Sequence, residues 1–495
     1  MGLNWRNKDT TKDTPESVIG ELYGFSTFRG MQRKAIGDVL GGDNSLYVAP
    51  TGMGKSLCYQ VPAIMQERGT VTLVTTPLIA LMRDQVRKLK SLGIPAGMLH
   101  SDMTAKREDI LQSVRDGSYA MMYMSPEQLL KDDVVDTLKN TRKAFMAIDE
   151  AHCISQWGHD FRPAYGALER SIEACGFEYS SSFTATASPA VQRDIQRSLD
   201  IDNKKVRREK PLRENLSYGV TQLDDRKGKI DRIADLIEEY APNKDDAVIV
   251  YCGTRHQTDH IASLLGFRNI RAQFYHGEMA GKMRRDVETR FMLDSPRVLA
   301  ATNAFGMGID KPNIRLVIHE QLPSSVQNYL QETGRAGRDG KPAHCELLYA
   351  PEDRGLHDYF IERKSPPMEF VRGVYLNLLE AESNRFVKPG DFFSVDMFRF
   401  YRLFDKKRKW DIETNELRVN SAFVVLEQAG VIERSGASMF RMLKPLEGKE
   451  EKTVKELNAH RLMVNRFHLD QMMAYAGDEK PSQKKLITML GRNPS

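Results

Sequence analysis

Continuous apolar or β-branched runs recur along the first 200 residues of the chain. They occupy residues 45–50 (SLYVAP), 70–77 (TVTLVTTP), 144–150 (AFMAIDE) and 181–187 (SSFTATA). Runs without polar alternation are typical of strands buried on both faces of a parallel sheet. Stretches of helical character separate them, so the pattern predicts an α/β fold with right-handed crossovers.

A charged stretch at residues 203–211 (NKKVRREKP) interrupts this pattern and is typical of a linker. Beyond it the alternation resumes, with apolar runs at 247–252, 298–303, 316–320 and 345–350. Two successive α/β domains of similar size are therefore predicted, over residues 1–205 and 206–350.

The strand pattern stops near Pro351, and residues 351–495 are predicted to be mainly helical. Within them, a helix is expected over 419–429, ending near Gly430. Two short runs at 431–433 and 439–443 then flank a turn at 435–438. A helix followed by a hairpin indicates a winged helix, and a plain helical bundle is the alternative.

Composition narrows the classes of function. The hydrophobic fraction of 41% supports globular cores, and 72 Lys and Arg against 67 Asp and Glu give a net charge of +5, which permits a polyanionic partner. Apolar runs stay shorter than the roughly 18 residues that span a bilayer, and residues 1–14 lack a signal-peptide core. The five cysteines are scattered without a CxxC pair. We expect a cytoplasmic protein, nucleoid-associated if bacterial, without a membrane partner.

A phosphate-binding loop is predicted at residues 49–56 (APTGMGKS), between a strand and a helix. Backbone amides around Gly52, Met53 and Gly54 would approach phosphate oxygens at a helix N-terminus. Lys55 would reach the β- and γ-phosphates, and the Ser56 hydroxyl would bind Mg²⁺. ATP and Mg²⁺ are the predicted ligands; the alternative is a chance Gly-Lys-Ser in a loop.

Two acids, Asp149 and Glu150, end an apolar strand downstream of this loop. The carboxyl edge of a parallel sheet is where ligands bind. Asp149 would hold Mg²⁺, and Glu150 would position and deprotonate the attacking water. Adjacent acids on an exposed surface are the alternative.

The segment around this acidic pair resembles the RecQ family of DNA helicases. The segment 149–163 (DEAHCISQWGHDFRP) resembles the aromatic-rich loop of that family. Further segments agree over roughly residues 20–350: 23–32 resembles the nucleotide-base recognition motif, 76–85 motif Ia, 302–312 motif V and 331–340 motif VI.

The resemblance implies two tandem RecA-like domains, the first binding ATP and the second supplying an arginine finger. Nucleotide contacts are implied for Tyr23, Arg29, Gln32 and Asp310, with Gln32 reading the adenine. Arg335 and Arg338 are implied to reach across from the second domain, with Arg338 as the finger. Surface salt bridges are the alternative role for these arginines.

A nucleic-acid contact surface is predicted just beyond the acidic pair. Trp157 and Phe161, with Arg162 beside them, would hold single-stranded DNA by stacking and backbone contacts. His152 would relay strand binding to hydrolysis, and Thr186 would link the cleft to the strand similarly. For Trp157 and Phe161, core packing is the alternative.

The resemblance weakens in the C-terminal region. RecQ proteins commonly carry a four-cysteine zinc subdomain, but no cysteine follows Cys345 here, and His460 and His468 cannot supply four ligands. We predict no structural zinc, and a cysteine-free helical hairpin over 466–491. The basic run 406–410 (KKRKW) would track duplex phosphates or form a solvated loop.

Together these patterns predict an ATP-dependent DNA helicase that moves 3′ to 5′ and acts in recombination or repair. Its partners would be single-stranded DNA, duplex junctions and a single-stranded-DNA-binding protein, with no further tail domain. The alternatives are a DNA-stimulated translocase or remodeller that unwinds weakly, and an RNA helicase. A pseudo-enzyme would lack Lys55, Asp149, Glu150 or Arg338, and all four are present.

Overall fold

The computed structural model describes residues 13–491, except 78, 101–102, 104–105, 156–162, 210–212, 307–310, 385–387, 389, 405–411 and 436–437. Contacts divide the chain into two units. The first comprises the residues up to Ala350 together with the segment that begins at Ala474. The second is Pro351–Met473.

A seven-stranded parallel sheet forms the core of the first domain, in the order β3-β4-β2-β5-β6-β1-β7. Its strands are β1 Ser45–Val48, β2 Val71–Thr75, β3 Ala96–Leu99, β4 Met121–Met124, β5 Lys143–Asp149, β6 Ser180–Thr184 and β7 Val206–Arg208. Apolar clusters cover its two faces. The predicted doubly covered parallel sheet is confirmed.

Helices connect these strands and cover both faces of the sheet. They are α1 Pro15–Val18, α2 Gln32–Leu40, α3 Lys55–Ile64, α4 Ile79–Ser91, α5 Arg107–Arg115, α6 Asp132–Lys139, α7 Pro163–Gly166, α8 Leu168–Cys175 and α9 Pro189–Ser198. A π-helix at Ile19–Tyr23 and 3₁₀ helices at Pro126–Leu130, Ala151–Ile154 and Asn203–Lys205 complete the domain.

Strand β7 lies inside the charged segment that was predicted to be a linker. It pairs in parallel with β1 and forms the edge of the first sheet. The charges mislead because they are paired: Arg207 donates to both carboxylate oxygens of the buried Asp38, at 2.6 and 2.8 Å. The first sheet therefore continues to Arg208, beyond the predicted boundary at residue 205.

A second parallel sheet of six strands follows, in the order β10-β11-β9-β12-β13-β8. Its strands are β8 Leu216–Gln222, β9 Ala247–Tyr251, β10 Ala272–Tyr275, β11 Val298–Ala301, β12 Ile314–His319 and β13 Ala343–Tyr349. Its helices are α10 Lys229–Tyr240, α11 Arg255–Phe267, α12 Gly281–Met292 and α13 Val326–Thr333. Apolar clusters again cover both faces, which confirms a second α/β domain.

The second unit is mainly helical, as predicted. It contains α14 Asp353–Lys364, α15 Met368–Ser383, α16 Met397–Leu403, α17 Ile412–Gln428 and most of α18 Gly448–Ala476. A small antiparallel sheet has the order β14-β16-β15, from β14 Phe393–Ser394, β15 Ile432–Ser435 and β16 Met439–Met442. Helix α17 followed by the hairpin matches the expected winged-helix pattern, and Phe423 packs on Phe440 with ring centroids 4.8 Å apart.

The segment predicted as a helical hairpin, residues 466–491, is largely helical in the structure, and the pairing of its two helices stays a prediction. After α18, a short loop leads to α19 Gln483–Leu490. The end of α18 belongs to the first unit, where Tyr475 lies 5.7 Å from Tyr329 between ring centroids and Gln222 donates to the Ala476 carbonyl at 3.2 Å. Packing therefore holds this segment against the second sheet's domain.

Among the described residues, the helices are too short or too polar to span a bilayer. No cluster of three or more His, Cys, Asp or Glu side chains there offers a metal site. The absence of structural zinc stays a prediction.

Two leucines of the second domain, one buried and one exposed, allow the assigned core to be tested. Leu299 in β11 is 0% exposed, whereas Leu293 is 73% exposed. We predict that Leu299→Ala lowers the free energy of unfolding by about 2–5 kcal/mol, because it leaves a cavity. Leu293→Ala should change it by less than about 0.5 kcal/mol. Urea denaturation measures both, and equal losses would contradict the assigned core.

Candidate nucleotide-binding cleft

The loop between β1 and α3 has the backbone of an anion-binding site. Gly52 and Gly54 adopt φ angles of 88° and 71°, a left-handed region that residues with a Cβ rarely enter. Gly54 is the residue that precedes α3, and Met53 N donates to the Pro50 carbonyl at 3.2 Å. Amides at the start of α3 can therefore converge on a phosphate.

Lys55 opens α3 beside this loop. Its Nζ donates to the Ala49 carbonyl at 2.9 Å, at the carboxyl end of β1. Burial lowers the pKa of Lys55, while the carboxyl groups of Glu150 and Asp149 act in the opposite direction. The ammonium group therefore lies in the electrostatic field of the acidic pair.

The acidic pair lies where β5 ends. Asp149 is the last residue of the strand, and Tyr165 Oη donates to its carbonyl at 2.8 Å. Glu150 adopts a left-handed φ of 51°, and its amide donates to Asp149 Oδ1 at 3.0 Å. Such a conformation is costly for a residue with a Cβ, and it is found most often at functional sites.

These acids fit a Mg²⁺ ion. Burial, followed by the charge of Glu150, raises the pKa of Asp149, so the site favours a nearby positive charge. The Asp149 carboxylate and the Ser56 hydroxyl in the first turn of α3 are hard oxygen donors, the kind that Mg²⁺ prefers.

A polar chain runs from Glu150 to β6. His152 Nδ1 lies 3.3 Å from Glu150 Oε2 and 3.0 Å from Thr184 Oγ1. Thr184 Oγ1 in turn donates to the Thr186 carbonyl at 3.0 Å. The hydroxyl that contacts His152 is that of Thr184, whereas the residue predicted from the sequence was Thr186. The position of Thr184 at the end of the strand paired with β5 is the signal that could have identified it.

Of the residues predicted to contact the nucleotide base, Gln32 lies against the loop between β1 and α3. The buried Gln32 donates through Nε2 to the carbonyls of Met53 and Gly54, at 2.7 and 3.2 Å. Its Oε1 accepts the Arg29 amide at 2.8 Å, while the Arg29 side chain is exposed. Tyr23 Oη donates to Gln60 at 2.9 Å. Gln32 therefore connects the backbone just before α2 to the backbone of the phosphate loop through hydrogen bonds.

The two arginines of residues 331–340 have different surroundings. A Cβ placed on Gly52 would lie 3.4 Å from Arg338 Cγ and 3.5 Å from its Nε, so Arg338 reaches the phosphate loop from the second sheet's domain. Arg335 is buried and donates to the carbonyl of Gly306 in its own domain. Arg338 therefore approaches Gly52, whereas Arg335 is held by a carbonyl of its own domain.

Four predicted site residues, Trp157, Phe161, Arg162 and Asp310, lie outside the described residues. The basic run at 406–410 does so too. Their predicted roles stay predictions.

Comparison with protein families places two matches along the chain. Residues 29–195 match the DEAD/DEAH box helicase family. Residues 228–340 match the helicase conserved C-terminal domain. The two matches correspond to the two parallel sheets.

Curated relatives are named as DNA helicases. The chain is 41% identical over 358 residues to ATP-dependent DNA helicase RecQ of Bacillus subtilis, covering 70% of this chain and 58% of that protein. It is 36% identical over 373 residues to the probable ATP-dependent DNA helicase RecS of the same organism, covering 75% of this chain and 73% of that protein. The chain spans 57–58% of the length of the three RecQ relatives compared.

The fold has solved counterparts. The crystal structure of DUF1998 helicase MrfA bound to DNA matches with a TM-score of 0.57 at 18% identity, covering 89% of this chain and 60% of that one. At this identity the likeness concerns the fold.

The different surroundings of the two arginines predict different effects on stability. Arg335→Ala removes a buried, charge-assisted hydrogen bond and should lower the free energy of unfolding by about 1.5–3 kcal/mol. Arg338→Ala removes a half-buried side chain at the domain boundary and should cost at most about 1 kcal/mol. Chemical denaturation of both variants measures this difference, and a larger loss for Arg338→Ala would contradict the placement of Arg335.

Proposed function

The chain belongs to the RecQ family of superfamily 2 helicases, and on that basis we propose that it is an ATP-driven motor that unwinds DNA. One observation carries the proposal. The residues suited to ATP hydrolysis are divided between two parallel-sheet domains: Lys55, Asp149 and Glu150 lie on the first, and Arg338 reaches Gly52 from the second.

Hydrolysis would use groups at the carboxyl edge of the first sheet. Amides of the phosphate loop and Lys55 would bind the β- and γ-phosphates. Glu150 would orient the attacking water and accept its proton. Arg338 would stabilise the negative charge that develops on the transferring phosphoryl group. Mg²⁺, held by Ser56 and Asp149, would neutralise phosphate charge when bound.

Motion would follow from the division of the site. Because bound ATP contacts both domains, it favours the closed arrangement, and loss of the γ-phosphate lets the domains separate. The polar contacts that join Glu150, His152 and Thr184 would couple this cycle to DNA binding. The DNA strand would be held by Trp157, Phe161 and Arg162. Gln32 and Tyr23 would align the adenine end, with Arg29 and Asp310 contributing further nucleotide contacts.

The direction and setting are inferred from the family. We propose movement 3′ to 5′ along single-stranded DNA and action on duplex junctions in recombination or repair. A single-stranded-DNA-binding protein is the proposed protein partner, and the cytoplasm is the proposed location.

The test is strand separation of duplexes that carry either a 3′ or a 5′ single-stranded tail, with ATP and Mg²⁺. We expect separation of the 3′-tailed duplex alone. Lys55→Ala should lower ATP turnover roughly 10²–10³-fold, because a phosphate-binding charge is lost, while strand binding persists. Lys90→Ala, which removes an exposed lysine of α4, is the matched control and should leave both activities unchanged.

Separation of only the 5′-tailed duplex would contradict the proposed direction. DNA-stimulated hydrolysis without separation of either duplex would favour the translocase alternative. Normal turnover by Lys55→Ala would show that the site is wrongly assigned.

A further inference from the structure

Arg213 lies in the segment between the two sheets and binds the loop that carries Arg338. Its Nη1 donates to the Gly334 carbonyl at 3.0 Å, and its Nη2 donates to the Gly337 carbonyl at 2.6 Å. These carbonyls stand on either side of Arg335, and the second immediately precedes Arg338. The planar guanidinium can hold both at once, which a lysine cannot do with the same geometry.

Asn215 fixes the same loop from a second direction. Its Nδ2 donates to the carbonyls of Gly337 and Lys341, at 2.9 and 2.8 Å. Gly337 has a φ of 55°, and a Cβ there would lie 2.5 Å from Asn215 Nδ2. The Gly337 amide donates to the Ile314 carbonyl at 2.8 Å. The backbone beside Arg338 is therefore held on several sides.

Helix α19 reaches Arg213 from the C-terminal part of the chain. Gln483, the first residue of the helix, is buried, and its Oε1 accepts the Arg213 amide at 2.8 Å across 270 residues of sequence. A cavity of about 120 Å³ lies beside this contact, lined in part by Thr51, Gly334 and Ile487. The C-terminal helix thus borders both the phosphate loop and the residue that holds the Arg338 loop.

We propose that Arg213 is a positioning residue for the arginine finger Arg338, and that Gln483 of α19 holds Arg213 in place. The C-terminal helix then influences ATP turnover through hydrogen bonds rather than through the DNA. This inference rests on the proposed function, because it takes Arg338 to act on the transferring phosphoryl group.

A positioning role has a kinetic signature. The finger acts on charge that develops in the transition state, so its misplacement lowers kcat and leaves ground-state binding of ATP nearly unchanged. A displacement on the order of 1 Å costs up to about a hundredfold in rate. A variant that merely loosens the domain would change kcat and KM together.

The experiment is a double-mutant cycle on single-stranded-DNA-stimulated ATP hydrolysis by the full chain. Arg213→Ala should lower kcat roughly 10–100-fold while the KM for ATP changes less than about twofold. In an Arg338→Ala background the same substitution should lower kcat by less than about twofold, because the finger is already absent. Arg213→Lys should recover part of the loss and serves if Arg213→Ala does not fold.

The helix is tested separately. Gln483→Leu removes the acceptor for the Arg213 amide and should lower kcat about 3–10-fold, whereas Gln483→Glu keeps an acceptor and should restore it to within about twofold. Ser482→Ala is the matched control: it removes the Ser482 side-chain cap of α19, which accepts the Lys485 amide at 3.4 Å, and leaves Gln483 in place. It should leave kcat unchanged.

Additive losses in the double mutant, or equal losses in Ser482→Ala and Gln483→Leu, would overturn the inference. So would a loss confined to KM. An unmodified chain that does not hydrolyse ATP would instead overturn the proposed function, whereas normal hydrolysis by Arg213→Ala in an active chain removes only the positioning role.

Discussion

The approach of Arg338 to Gly52 is the contact on which the account of this protein depends. Gly52 has a left-handed φ, and the Arg338 side chain lies in ordinary van der Waals range of the position where a Cβ would stand. Gly334 of the second domain is also close to the phosphate loop, since a Cβ on Gly334 would lie 3.3 Å from Thr51 Cβ. A cationic side chain from one domain thus lies against the phosphate loop of the other. A phosphate bound at this loop would therefore interact with groups of both domains.

The parallel arrangement of the strands explains why the polar groups of the candidate site converge. Ala49, Asp149 and Thr184 follow or end β1, β5 and β6, and these strands are neighbours in the sheet order. Their carboxyl ends meet at one edge, where an open α/β sheet binds ligands. Burial there lowers the pKa of Lys55 and raises that of Asp149, so both groups are suited to an anionic nucleotide with its cation.

Local patterns in the sequence were sufficient for much of this architecture. Buried strands show as unbroken apolar runs, and the phosphate loop and the acidic pair each follow such a run, so their convergence could be expected. The edge strand β7 could not be predicted, because its charges are neutralised by Asp38 on a distant helix. The choice between Thr184 and Thr186 depends on side-chain direction at a strand end. The link from Arg213 to Gln483 spans 270 residues and has no local pattern at all.

The most direct test of a divided motor site is the distance between the two domains during the ATP cycle. All five native cysteines are buried, so dyes can be placed selectively through Lys90→Cys in the first domain and Leu293→Cys in the second. Energy transfer between the dyes is then measured without nucleotide and with a non-hydrolysable ATP analogue and single-stranded DNA. We predict that adding the analogue changes the distance between the dyes, and that this change is lost in Arg338→Ala. If the distance in the labelled protein with Arg338 intact is the same without nucleotide and with the analogue, a site divided between two moving domains is contradicted.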